Sequence, residues 1–152
     1  EVSDEKWRYG IDMSLTSAFL MTRAVLPSMM NREYGRVVHI ASVTGPVVGI
    51  SGSTVYGTAK AGMLGMARSL AIEVGSKNVT VNCVAPGWIH TGSSGDNELI
   101  AGQFTPVGRP GTPEEVGHVA VFLASEEASY VTGQLMVVDG GNTIQEYKVE
   151  LT

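Results

Sequence analysis

Three short runs rich in β-branched residues are spread along this chain, each separated from the next by a longer stretch with helical spacing. RVVHIA (36–41) is too short for a typical helix and lies between Gly35 and the loop SVTGPVVGISG; NVTVNCVA (78–85) is stopped by Pro86-Gly87; QLMVVDGG (134–141) supplies a third strand. Strands that alternate with helices are joined by crossovers, and the outcome is a parallel sheet covered by helices. The expected order is helix-strand-helix-strand-helix-strand in one α/β domain over residues 1–152. Three strands make a thin sheet, and the first element is a helix. The pattern is that of part of a larger doubly wound sheet.

The helices carry their own punctuation. Ser3 or Asp4 caps a first helix whose apolar positions Trp7, Ile11, Leu15, Ala18 and Val25 recur at helical spacing; Pro27 is expected to weaken or end it, and Gly35 closes the connection. A second helix begins after the SVTGPVVGISG loop and ends near Gly75. TPEE (112–115) reads as a capping box: Thr112 at the N-cap, Pro113 in the first helical position and Glu115 returning the hydrogen bond. That helix places Val116, Val119, Ala120 and Leu123 on one face. The Gly/Ser-rich region from Trp88 to Gly111 reads as a lid.

Composition narrows the function. Hydrophobic residues at 43% and charged ones at 16% describe a globular chain. A net charge of −5 without a Lys/Arg cluster argues against nucleic acid as partner. The single cysteine excludes an internal disulfide and a Cys-based zinc site, and Cys83 within VTVNCVAP reads as a small buried hydrophobe. No apolar run is long enough to span a bilayer, so no membrane association is expected and the expected location is cytoplasmic. His39, His90 and His118 lack metal-ligand spacing and read as structural or surface residues. The methionines at helical spacings, Met13, Met21, Met29, Met30, Met63 and Met66, read as packing filler.

The chemistry concentrates in STVYGTAKAGMLGMARSLA (53–71). Tyr56 and Lys60, at i and i+4, project to one side of a helix. A free phenol titrates near pH ~10 and is a poor acid-base group at neutrality, but a neighbouring ammonium favours its ionised form. Ser42 falls at the carboxyl end of the preceding strand, the edge where ligands bind in open α/β sheets. Its hydroxyl can donate to a substrate oxygen while Tyr56 delivers or removes the proton.

These residues resemble the short-chain dehydrogenases/reductases, and within them the 3-oxoacyl-carrier-protein reductases. YGTAK matches the family's YxxxK motif and Ser42 its catalytic serine; NCVAPGWIHT matches an N-x-V-x-PG-x-I-x-T segment; GRPGTPEEVGHVAVFLASEEASYVTGQLMVVDGG matches the C-terminal region. The resemblance covers nearly the whole chain and implies a partial doubly wound, Rossmann-like sheet. It implies reduction of a ketone or 3-oxoacyl group, or oxidation of the matching secondary alcohol, with NADP or NAD. By it, Tyr56 is the general acid/base, Ser42 orients the carbonyl, and Lys60 tunes Tyr56 and binds the nicotinamide ribose. Pro86, Gly87, Ile89 and Thr91 would hold the nicotinamide end, and Trp88 either lines the substrate mouth or packs under the loop. A homo-oligomer, dimer or tetramer, is expected on the same grounds.

Two departures qualify the match. Where the family carries a catalytic asparagine on its first helix here, the segment is SLTSAF and Ser14 stands in its place. A serine there can bond back to the helix and hold a water, so a weakened proton relay is expected. The second departure is larger. No G-x-x-x-G-x-G occurs, nor an N-A-G segment, nor the acidic or basic residue that would read the adenosine ribose. The N-terminal dinucleotide-binding half is missing from the pattern, and cofactor binding is expected to be incomplete without it.

Two other function classes fit parts of the pattern. Ser42, Tyr56 and Lys60 are also the parts of a cofactor-independent esterase with a Tyr/Lys base, although there is no G-x-S-x-G elbow and no evident oxyanion hole. An inactive assembly module would use the small residues Ala59, Gly62, Gly65 and Ala67, which let another helix approach closely.

Overall fold

The computed structural model of the chain describes residues 1–146. Strands β1 (Gly35–Ile40), β2 (Val79–Pro86) and β3 (Leu135–Val138) form one parallel sheet in the order β1-β2-β3. β2 is central, and its alternating side chains found two cores. Val79, Val81 and Cys83 face a cluster with Leu26, Val37, Met63, Leu64 and Ala67, while Val84 faces Val116 and Leu123 across the sheet. Asn82 is fully buried between them and ties β2 to the approach to β3. Its amide donates to the Val131 carbonyl at 2.8 Å, and its oxygen accepts from the Gln134 N–H at 3.0 Å.

The strands are joined by α3 (Thr54–Val74), which packs in the first core, and by α5 (Pro113–Ala124), which packs in the second. Both crossovers step the same way across the sheet, yet their helices lie on opposite faces. They are therefore of opposite hand, and one of them breaks the strong right-handed preference of parallel connections. Whatever the hand, a helix joining parallel strands starts at their carboxyl ends, and so the N-terminus of α5 lies there, with Pro113 and Val116 on the cleft. The capping box forms as read: Thr112 Oγ1 accepts from the Glu115 N–H at 3.3 Å and the Glu115 carboxylate accepts from the Thr112 N–H at 2.8 Å.

The N-terminal helix departs from the sequence expectation. Ser3 caps α1 (Asp4–Ile11), accepting from the Lys6 N–H at 3.2 Å; a π turn, Asp12–Thr16, follows; α2 (Ser17–Asn31) then runs straight through Pro27. A π turn inserts an extra residue and rotates everything after it. The inward stripe becomes Leu15, Ala18, Thr22, Leu26 and Met29, while Trp7 and Val25, expected inside, are 41% and 39% exposed. Packing of Leu26, Met29 and Met30 on the first core carries the helix past the proline. The lid holds a helix that periodicity did not reveal, α4 (Asp96–Gln103). Gly95 caps it without a side chain: its carbonyl accepts from the Glu98 N–H and its own N–H donates to the Glu98 carboxylate, both at 3.0 Å. No helix among the described residues is long and apolar enough to cross a membrane.

Along β1 the odd-numbered peptide groups turn toward β2, as in Gly35 N–H to the Asn78 carbonyl (3.3 Å) and Ala41 N–H to the Val84 carbonyl (2.8 Å). Those of Arg36, Val38 and Ile40 face the other edge, where no strand pairs among the described residues.

His39 on β1 is buried, and its Nε2 has no partner among the described residues. Burial holds its imidazole below the ordinary range. The unfolded chain takes up this proton as pH falls through about 6.5 and the folded chain does not, so stability declines with falling pH from there toward the depressed folded value. Urea midpoints should fall between pH 7.5 and pH 5.5, and His39→Leu should remove part of that fall. An equal fall in both proteins would refute the assignment.

Candidate active site

A cleft of about 740 Å³ opens at the carboxyl ends of the strands. Each strand delivers one wall. After β1 the chain turns through Ser42, Val43 and Thr44; α3 brings Tyr56 and Lys60; after β2 come Pro86, Gly87, Trp88, Ile89 and Thr91. Seven of the eight residues singled out in the sequence therefore share one cleft: Ser42, Tyr56, Lys60, Pro86, Gly87, Ile89 and Thr91. Ser14 does not line it.

Local backbone constraints fix these positions. Ser42 is buried, and its Oγ accepts from the Thr44 N–H at 3.1 Å, which leaves its own hydrogen to donate elsewhere. The turn that follows is closed by Gly45 N–H to the Val48 carbonyl at 2.8 Å. Gly45 has φ +104°, and a Cβ there would run into the Gly57 carbonyl in the first turn of α3. That close backbone approach seats the serine turn against the helix that carries the tyrosine. Gly87 does the same on the other side, since a Cβ there would meet Asp139 at 2.6 Å.

Tyr56 is 45% exposed, so its phenol is open to the cleft rather than sealed in the core. The Lys60 ammonium lies 5.6 Å from the Tyr56 ring centroid and donates to the Ile40 carbonyl at 2.8 Å. Burial draws the Lys60 ammonium below its ordinary range. Cys83 is pushed up to about 11 by burial, so at neutral pH it is a thiol and gives Lys60 no counter-charge. The Ile40 bond uses one of the three ammonium donors.

The π turn at 12–16 replaces the expected part of Ser14. The Ser14 hydroxyl makes no hydrogen bond among the described residues; the back-bonding hydroxyl is that of Ser17, which donates to the Met13 and Ser14 carbonyls at 2.8 and 3.1 Å. The small residues of α3 serve this same contact. Ala59 and Ala67 are fully buried and a Cβ on Gly62 would strike Leu15, so that stripe packs largely within the chain, and only Gly65 borders open space. His90 and His118 are exposed.

The lid is tied at a narrow neck. Gly111 N–H donates to the Trp88 carbonyl and His90 N–H to the Gly111 carbonyl, both at 2.9 Å. Just beyond, the Arg109 guanidinium grips the Glu115 carboxylate through two bonds of 3.0 and 2.7 Å. The Arg109 hydrogen bonds, with help from the Thr112 N–H, draw the Glu115 carboxyl down to about 2. Glu98 and Asn142 also line the cleft and were not found from the sequence. The glycine cap hid the helix that bears Glu98, and Asn142 lies beyond the last strand with no motif around it.

A family model described as enoyl-(acyl carrier protein) reductase matches residues 1–143. The chain belongs to the short-chain dehydrogenase/reductase family. It is 45% identical over 146 residues to a 3-oxoacyl-(acyl-carrier-protein) reductase FabG of Chlamydia muridarum, covering 92% of this chain and 58% of that protein. To the enzyme of the same name in Escherichia coli K12 it is 41% identical over 144 residues, covering 92% of this chain and 59% of that protein. A nodulation protein G of Rhizobium sp. strain N33 is 43% identical over 145 residues, with 92% and 58% covered. The chain thus spans under two thirds of the length of these short-chain dehydrogenase/reductase relatives.

The neck makes a direct prediction. Glu115→Gln or Arg109→Ala should speed hydrogen exchange at the His90 and Gly111 amides while leaving β2 amides unchanged. Unaltered exchange at those two amides would show that the ion pair does not hold the lid.

Proposed function

We propose that the chain carries the reducing site of an NAD(P)-dependent oxidoreductase acting on a ketone, a 3-oxoacyl group or the matching secondary alcohol. The observation that supports this most is the convergence of Ser42, Tyr56 and Lys60 on one cleft beside the Pro86–Gly87 turn. The cofactor-independent esterase with Ser42 and a Tyr56/Lys60 base is less well supported, because Ser42 does not lie in a G-x-S-x-G elbow.

The residues present fit the nicotinamide end of such a cofactor. Gly111 pairs with the peptide groups on either side of Ile89, so those of Ile89 itself point away from the neck. Its carbonyl accepts from Ser94 Oγ, and its N–H makes no hydrogen bond among the described residues, leaving a donor for a carboxamide. Pro86 and Gly87 offer a flat, small surface for a ring. Thr91 fits less well, since its hydroxyl is shared with those of Ser93 and Ser94 at 3.1 Å. Nothing in the sequence matches the glycine-rich phosphate cradle.

A dihydronicotinamide held there would supply the hydride. The Ser42 hydroxyl donates to the substrate carbonyl oxygen and orients it. The Tyr56 hydroxyl gives its proton to that oxygen as negative charge develops there. The Lys60 ammonium, held by Ile40, attracts the charge left on the phenol oxygen.

Because the fit is confined to the nicotinamide end, reduced nicotinamide mononucleotide is the sharpest probe, run beside NADH and NADPH with ethyl acetoacetate as ketone. The chain should accelerate loss of the dihydronicotinamide absorbance, and Tyr56→Phe should reduce that rate by ~10²–10⁴-fold. No acceleration with any of the three donors would overturn the proposal. Assembly into a homo-oligomer is part of the same reading, supported by apolar side chains exposed along the π turn and α2, Met13 and Met21 among them. Size-exclusion chromatography giving a clean monomer would remove it.

A further inference from the structure

We infer that Asn142 is a specificity-determining residue of the cleft, hydrogen-bonding a second, neutral polar group on a carbonyl ligand held at Ser42 and Tyr56. The inference rests on the carbonyl-binding reading above. Asn142 follows β3, is only 5% exposed, and lines the cleft. Pro113 and Val116, from the start of α5, line the cleft with it. Its carboxamide carries two donors and an acceptor but makes no hydrogen bond among the described residues. The side-chain atoms sealed from solvent without a partner among the described residues are His39 Nε2 and Thr80 Oγ1, so the Asn142 carboxamide is not sealed and opens onto the cleft it lines.

Fraying does not explain it, because the turn is held at every step. The Asp139 carboxylate accepts from the Gly141 and Thr143 N–H groups at 2.9 and 2.7 Å. The Asn142 N–H donates to the Asp139 carbonyl at 3.1 Å, and the Gly140 carbonyl accepts from the lid's Val107 N–H at 3.2 Å. The carboxamide is therefore pre-positioned for something that enters the cleft.

The sheet sets the distance. Ser42 follows β1 and Asn142 follows β3, two strand spacings apart, or ~10 Å between strand tips. Side chains reaching inward shorten this, so the ligand's two groups are separated by several bonds rather than one or two. Glu98 also borders the cleft, which disfavours an anionic tail. A neutral amide or ester tail avoids that repulsion.

Trp88 lines the cleft, and Trp7 is the other tryptophan, so a Trp7→Phe background makes Trp88 fluorescence a binding signal that needs no cofactor. The ligands are methyl ketones ending in a primary carboxamide two to six methylenes away, each titrated against the methyl ketone of equal length ending in a methyl group. At the best length the carboxamide should bind about tenfold tighter. Asn142→Leu should abolish that preference while keeping the affinity for the plain ketone, and Asn142→Ala repeats the comparison should the leucine variant misfold. The ratio of two ligands on one variant is insensitive to a general loss of stability. No preference in the Trp7→Phe protein, or a preference that survives in the variants, overturns the role of Asn142 alone. No binding of any ketone overturns it together with the carbonyl-cleft reading.

Discussion

β2 is hydrogen-bonded on both edges and covered on both faces, and every other element is placed by reference to it. Its odd-numbered side chains anchor the first core and Val84 the second, so the position of each crossover helix follows from a two-residue alternation. A one-residue slip would exchange the two faces. Asn82 guards against it: a buried side chain with partners at Val131 and Gln134 can be satisfied in only one register.

The consequence of that alternation reaches the cleft. α3 on one face brings the phenol and ammonium to the strand tips, and α5 on the other brings Pro113 and Val116 to the same place. The opposite hand of the two crossovers is what lets helices from both sides of the sheet contribute walls. Glycines at 45 and 87 close the remaining gaps, one by meeting the Gly57 carbonyl and the other by meeting Asp139. Small residues in this chain shape the cleft as much as its polar ones do.

Much of this was visible in the residues themselves. The three strands, the capping box at Thr112 and the Tyr56/Lys60 spacing are each set by interactions within a few positions, which is what periodicity and capping rules capture. The failures were of a different kind. Trp7 and Val25 were expected inside because a uniform helical period was assumed; the π turn at 12–16 breaks that period, and no local composition marks it. α4 escaped because a glycine N-cap has no side chain to recognise. Asn142 escaped because its meaning depends on the strand order, and strand order is a long-range property.

Ile40 gives its carbonyl to the Lys60 ammonium on the side of β1 that no other described strand occupies. Such a border is a template on which foreign chains polymerise, and a cation seated on one of its acceptors is a known obstacle to that growth. Lys60 therefore stands at two frontiers, one chemical and one colloidal. Removing it strips charge from the phenol's surroundings and frees an acceptor on that border, so a lysine variant informs on the cleft only when the protein is shown to stay dispersed.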